Sequence, residues 1–170
     1  VSLHTRLGPW AHLLDKNSPL PGLSLPSPMI SLGQVEALRK RQHLHADELS
    51  FAEIQCVFKP EISLAQALDD LCMQAIQLVR NGARILLLSD RSASAERLPV
   101  PMAMATGAVH QALVSAGLRT LAGLAVEAGD CRDIHHVAVL IGYGAGVVCP
   151  WLALETALSV APAGTDAGAY

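Results

Sequence analysis

Downstream of residue 53 the hydrophobic positions fall into short, regular blocks. Ile54–Phe58 is an apolar run that predicts a strand, ended by Lys59-Pro60. Ser63 and Gln66 have the spacing of a capping box. The apolar positions Leu68, Leu71, Cys72, Ala75, Ile76 and Val79 then lie on one helical face, and Asn81-Gly82 supplies a left-handed stop. Arg84–Ser89 is a continuous apolar run of the kind buried on both faces of a parallel sheet. Pro101 opens a second helix that Gly117 ends, and Thr120–Val126 reads as the next strand. Asp130 is the expected cap of a third helix whose inner face is Ile134, Val137, Ala138 and Ile141. Gly142, Gly144 and Gly146 stop it, Val147–Cys149 follows as a strand, and Trp151–Val160 as a last helix.

Strand and helix alternate four times. That order predicts an α/β fold with about four parallel strands joined by right-handed crossovers, as a Rossmann-like or partial-barrel sheet. Residues 1–52 read differently. Pro9, Pro19, Pro21, Pro26 and Pro28 punctuate an extended, irregular arm. Ser31 can cap a short helix in it, through Leu38. The expected division is a Pro-rich arm over 1–52 packed on the domain, an α/β domain over 53–160, and a frayed tail over 161–170.

Composition narrows the function classes. With 51% hydrophobic and 16% charged residues the chain is not disordered. A net charge of −3 and six aromatic side chains argue against nucleic-acid binding. Leu98–Leu118 and Val137–Leu154 are uncharged, but their Pro, Gly and polar residues suit a water-soluble core better than a membrane. Val1–Leu14 has no apolar leader, and the chain begins with Val rather than Met; both fit an excised piece of a cytoplasmic protein. Cys56, Cys72, Cys131 and Cys149 form no C-x-x-C pair and read as small buried hydrophobes, not metal ligands.

Strands of a parallel sheet present ligands at their carboxyl ends. There the sequence places Asp90 and Arg91, then Glu127, then Cys149, a candidate pocket or interface. Asp90, Arg91, Glu96 and Arg97 could form an ion-pair network around it, and Glu127 could join them or cap the next helix. Arg39-Lys40-Arg41 reads as a solvated face, and His43 with His45 lacks further metal ligands. His135 and His136 are adjacent on a helix and cannot share a metal; one could face the core. The G-Y-G-A-G run, Gly142–Gly146, follows a helix and precedes a strand, the reverse of a dinucleotide fingerprint. No catalytic residue, bound cofactor or metal is expected from these patterns.

A resemblance adds what spacing does not. LLLSDRSASAERLPVP, ATGAVHQALVSAGLRT and VEAGDCRDIHHVAVLIGYGAGVVCPWLALET resemble the central domain of the glutamate synthase large subunit, motif by motif and in order. LLDKNSP and LPSPMISLGQVEALR fit the family's leading segment. Departures are Gly144-Ala145-Gly146, where the family tends to G-A-D, and Gln111-Ala112, where a further His is common. The resemblance implies a non-catalytic linker between a glutamine amidotransferase domain and an FMN-binding synthase domain. Those domains would be its partners, with self-association through exposed interface in the isolated chain. It also implies an ammonia path for making glutamate from glutamine and 2-oxoglutarate, with FMN and an iron–sulfur cluster held by other domains. The alternative is a stand-alone module that binds a small anionic metabolite through Asp90, Arg91 and Glu127.

Overall fold

The computed structural model describes residues 3–10, 22–41 and 49–162. The His43/His45 pair, Pro19, Pro21 and the tail beyond residue 162 lie outside the described residues. The centre is a four-stranded parallel sheet in the order β3 (Phe51–Gln55), β5 (Ile85–Ser89), β7 (Gly123–Glu127), β8 (Val147–Cys149). The strands follow one another in chain order, so right-handed crossovers put every connecting helix on one face. These are α2 (Leu64–Arg80), α3 (Met102–Ser115) and α4 (Ile134–Gly142). This is the winding of a barrel segment rather than of a doubly wound sheet, which settles the choice the sequence left open.

Alternation along the strands builds two cores. Ala52, Ile54, Leu86, Leu88, Leu124, Val126 and Val148 face α2–α4 and meet Leu71, Ala75, Val79, Val109, Leu113, Val137 and Leu140. Phe51, Ile85, Leu87, Ala125, Val147 and Cys149 face the other way. No crossover helix covers that second face. Leu7, Ile30, Val35 and Leu38 of the leading segment do. Two strands, β1 (Thr5–Leu7) and β2 (Leu23–Leu25), pair antiparallel there, and α1 (Leu32–Arg41) follows. Ile30 N–H donates to Val148 C=O at 2.9 Å and Val148 N–H to Pro28 C=O at 2.7 Å, so the segment also closes the β8 edge of the sheet. At Gly123 it passes against the sheet backbone: a Cβ there would stand 2.4 Å from Gly8 N.

Local signals place most element ends. Ser31 and Gln34 make a reciprocal capping box on α1, with Ser31 N–H to Gln34 Oε1 at 2.8 Å and Gln34 N–H to Ser31 Oγ at 3.3 Å. Ser63 caps α2 through Gln66 N–H, while the Gln66 side chain turns to Asp70 instead. Gly82 and Gly117 take left-handed φ of 101° and 69° after α2 and α3.

Several expectations need correction. The first sheet strand is Phe51–Gln55, not 54–58. Cys56 breaks away so that β4 (Val57–Phe58) can pair antiparallel with β6 (Leu98–Pro99). Residues Arg119–Leu121 form a 3-10 turn, and β7 starts only at Gly123. α1 continues past Leu38 to Arg41. Asp133, not Asp130, caps α4, accepting from His136 N–H at 3.0 Å. Asp130 reaches across to Met102 N–H at 3.0 Å and supplies the N-terminus of α3, where Pro101 has no side-chain donor or acceptor. Ile134 is 75% exposed, and the inner face of α4 is Val137 and Leu140. His135 and His136 both face outward, so neither belongs to the core. Cys72 is half-buried, unlike the other three cysteines.

Candidate functional site

The register Gln55–Ser89–Glu127–Cys149 forms the last row of the sheet at the carboxyl ends of its strands. This row faces α1, so the apolar second core ends in a polar layer. Glu127 is its centre and only 1% exposed. A buried carboxylate is costly unless it is fully paired. Arg39 Nη2 lies 2.5 Å from Glu127 Oε2, and Ser89 Oγ donates to the same oxygen at 2.5 Å. Arg91 Nη1 stands 3.6 Å from Oε1. Arg39 also grips Glu53 with two donors at 3.0 Å and Glu36 at 2.7 Å. These hydrogen bonds, Glu53 first, hold the guanidinium still more firmly protonated than usual, against the opposing effect of burial.

Asp90 is anchored separately. Both its carboxylate oxygens accept from Gly129 N–H at 2.9 Å, and Oδ1 accepts from Trp151 Nε1 at 2.7 Å. Burial pushes its carboxyl above the ordinary range, with the Trp151 bond pulling the other way. The Trp151 ring packs where a Gly129 side chain would stand, and the Arg91 guanidinium lies over the ring, 4.8 Å from its centroid. Arg91 is paired to Glu155 of α5 (Trp151–Val160). Beside them is an open cleft of about 440 Å3 lined by Asp90, Pro99, Val100, Pro101, Asp130 and Trp151 among others.

The structure therefore brings Arg91, Glu127 and Cys149 to one edge, with Asp90 adjacent. Asp90 does not pair with Arg91, and Glu96 and Arg97 lie in an exposed turn outside the network. Glu127 does not cap a helix. Cys149 is fully buried, and burial, then Glu127, pushes its thiol up to about 12. Arg39, Glu53, Ser89, Trp151 and Glu155 were not anticipated. Arg39 sat in a basic run read as solvent-facing, yet it is four residues after buried Val35 and next to buried Leu38. That spacing was the available signal. For Ser89 and Glu53, the strand register was needed.

The group present is suited to holding a sheet edge together. Its two guanidiniums face four carboxylates, Glu36, Glu53, Glu127 and Glu155, so it offers an added anion no unpaired charge. It does not suit an iron–sulfur cluster either. Among the described residues no three His, Cys, Asp or Glu converge on a metal position, and burial pushes the Cys56 and Cys131 thiols to about 12 and about 11.

A second polar knot lies at the opposite end of the strands, just before β7 and β8. Arg119 donates from Nε to His110 Nδ1 at 2.9 Å, and from its two terminal nitrogens to Ala122 C=O at 2.7 Å and Gly144 C=O at 2.8 Å. Its guanidinium stacks 5.7 Å from the Trp10 ring, and Trp10 N–H donates to Thr120 C=O at 2.8 Å. Gly144, the middle of the G-Y-G-A-G run, has φ 114°, and a Cβ there would stand 2.3 Å from His110 Nδ1. The run is a helix stop docked on His110. Burial, then Arg119, holds the His110 imidazole below its usual pKa of 6.5. The folded state thus binds this proton less readily than the unfolded chain. The knot's contribution is whole above pH 6.5, begins to be lost as pH falls below that value, and is gone once pH has passed the lower value of the folded state. Melts at pH 7.5 and 6.0 should show a larger drop for the native chain than for His110→Gln, whose amide accepts without titrating; equal drops would remove His110 from the account.

Comparison with known proteins gives this architecture its family. Residues 1–167 match the family described as the glutamate synthase central domain. Glutamate synthase [NADH] of Schizosaccharomyces pombe is 36% identical over 91% of this chain and 8% of its own length. The ferredoxin-dependent chloroplastic enzyme of Spinacia oleracea is 39% identical over 92% of this chain and 10% of its own. The glutamate synthase [NADPH] large chain of Bacillus subtilis is 36% identical over 79% and 8%. The chain spans about a tenth of the length of these relatives, and it belongs to the glutamate synthase central domain family.

Proposed function

We propose that this chain is a non-catalytic scaffold within a glutamate synthase. It joins the glutamine amidotransferase domain to the FMN-binding synthase domain and forms part of the path by which ammonia passes between them. FMN and the iron–sulfur cluster are held by those other domains, and the parent makes glutamate from glutamine and 2-oxoglutarate. The observation that carries this reading is the internal use of its buried acids. Glu127 and Asp90, the buried carboxylates among the described residues, are consumed by Arg39, Ser89, Gly129 and Trp151. Neither is left to act on a substrate as acid or base. The relatives also support it. Enzymes named for NADH, NADPH and ferredoxin carry a similar region at 36–39% identity, which suits a role common to all three.

The test is made in the full-length synthase. Asp90→Asn and Glu127→Gln should leave glutamine hydrolysis and glutamate formation within about twofold per folded enzyme, because neither group enters the chemistry. A fall of about a hundredfold or more in either activity, with the melt unchanged, would assign a reacting group to this domain and end the scaffold reading.

A further inference from the structure

We propose that the outer faces of α3 and α4 form one docking surface, occupied by another domain of the same glutamate synthase polypeptide. This rests on the scaffold reading and says which side of the scaffold is covered. A helix at a water-facing surface normally carries charge on its outer side. α1 and α2 do so, with Glu36 and Lys40 on the first and Asp69, Asp70 and Arg80 on the second, all exposed. α3 and α4 contain no Asp, Glu, Lys or Arg at all. Yet each has a side that the rest of the described chain leaves open. On α3, Met104 is 47% and Val114 48% exposed; on α4, Ile134 is 75% and Ile141 37% exposed. Ile134, Ala138 and Ile141 are spaced as one stripe along α4, and all three are exposed.

The two faces are continuous. α3 and α4 are neighbours on the same side of the sheet, and Tyr143 at the end of α4 lies over Gly107 of α3, where a Cβ would stand 2.8 Å from its ring. Single exposed apolar residues need no explanation, but an uncharged surface across two adjacent helices does. Its polar members are Gln111 and Ser115 on α3 and His135 and His136 on α4, all exposed, so it is poor in formal charge and bears Met and Tyr, as an interface does. Neither helix is long and apolar enough to cross a membrane. The occupant follows from length: about nine-tenths of each matched relative lies outside this region. A second helix layer or sheet of that remainder, with an apolar outer face, fits the surface chemically.

Two methionines make the test direct. Met73 on α2 is 54% exposed, similar to the 47% of Met104 on α3, so in a bare domain both oxidise at similar rates. The full-length synthase is treated with hydrogen peroxide, and sulfoxide at each position is followed by peptide mass spectrometry, native and denatured. Met104 is expected to react about tenfold slower than Met73 in the native enzyme and equally fast once denatured, since oxidation follows exposure. Equal native rates overturn the docking surface. Fast Met104 with slow Met73 also overturns it, while leaving a scaffold docked through α2. Protection of Met104 that disappears on dilution to monomer assigns the face to a second copy and overturns the stated occupant. Intact protection with activities lost in Asp90→Asn would instead keep the surface and remove the scaffold reading beneath it.

Discussion

Arg39→Met is expected to lower stability by about 3 kcal/mol, the cost of leaving a buried carboxylate without its main cation. In a domain of this size that is a fall of roughly 6–12 °C in the thermal midpoint. Glu127 is desolvated, and of its three partners Arg39 is the only guanidinium within hydrogen-bond distance. Arg91 lies farther off and is shared with Glu155. The same substitution also frees Glu53, which is partly exposed and can rehydrate, so the larger share of the loss belongs to Glu127. This gives a second arm. Arg39→Met combined with Glu127→Gln should recover more than half of the loss, because the buried charge goes with its partner. A single variant that melts within about 1 kcal/mol of the native chain would show that the cluster is no more than a surface pair.

Gly123→Ala should have an effect of similar size through sterics alone. A methyl group there meets Gly8 N at 2.4 Å and Leu7 Cδ1 at 2.9 Å. Backbone cannot yield as a side-chain tip can, so the leading segment must lift from β7. Lifting exposes Leu7, which is fully buried, at about 1.5–3 kcal/mol, and loosens the contacts beside it. The measurement pairs a thermal melt with limited proteolysis. The melt should fall, and cleavage between residues 3 and 30 should accelerate while the sheet stays resistant. Unchanged cleavage would mean that the segment tolerates the methyl where it lies, and the close approach would not matter.

The regular part of the fold was legible because its signals are local. Arg84–Ser89 was readable as a doubly buried strand from apolar continuity, and Asn81-Gly82 as a stop from backbone preference. Errors came where a residue serves a distant element. Asp130 has the chemistry of a cap, but the helix it caps begins 28 residues earlier, at Met102. Cys56 reads as strand until Val57 and Phe58 find Leu98 and Pro99. At the strand ends, Arg91, Glu127 and Cys149 were legible because parallel strands must end together. Arg39 was legible only as far as its spacing from Val35 and Leu38 marks an inward position on α1; its partners depend on α1 crossing the far face of the sheet, which no short-range pattern encodes.

That crossing has a consequence for synthesis on the ribosome. Thr5 Oγ1 donates to Gly146 C=O, a contact 141 residues apart in sequence. At about 5–20 residues per second, the N-terminal segment waits roughly 7–30 s before the last strand it touches exists. Until then Phe51, Ile85, Leu87 and Ala125 can be covered only through the contacts the segment makes to β3, β5 and β7. The seal of the leading segment on the β8 edge is therefore the last part of the second core that synthesis can complete.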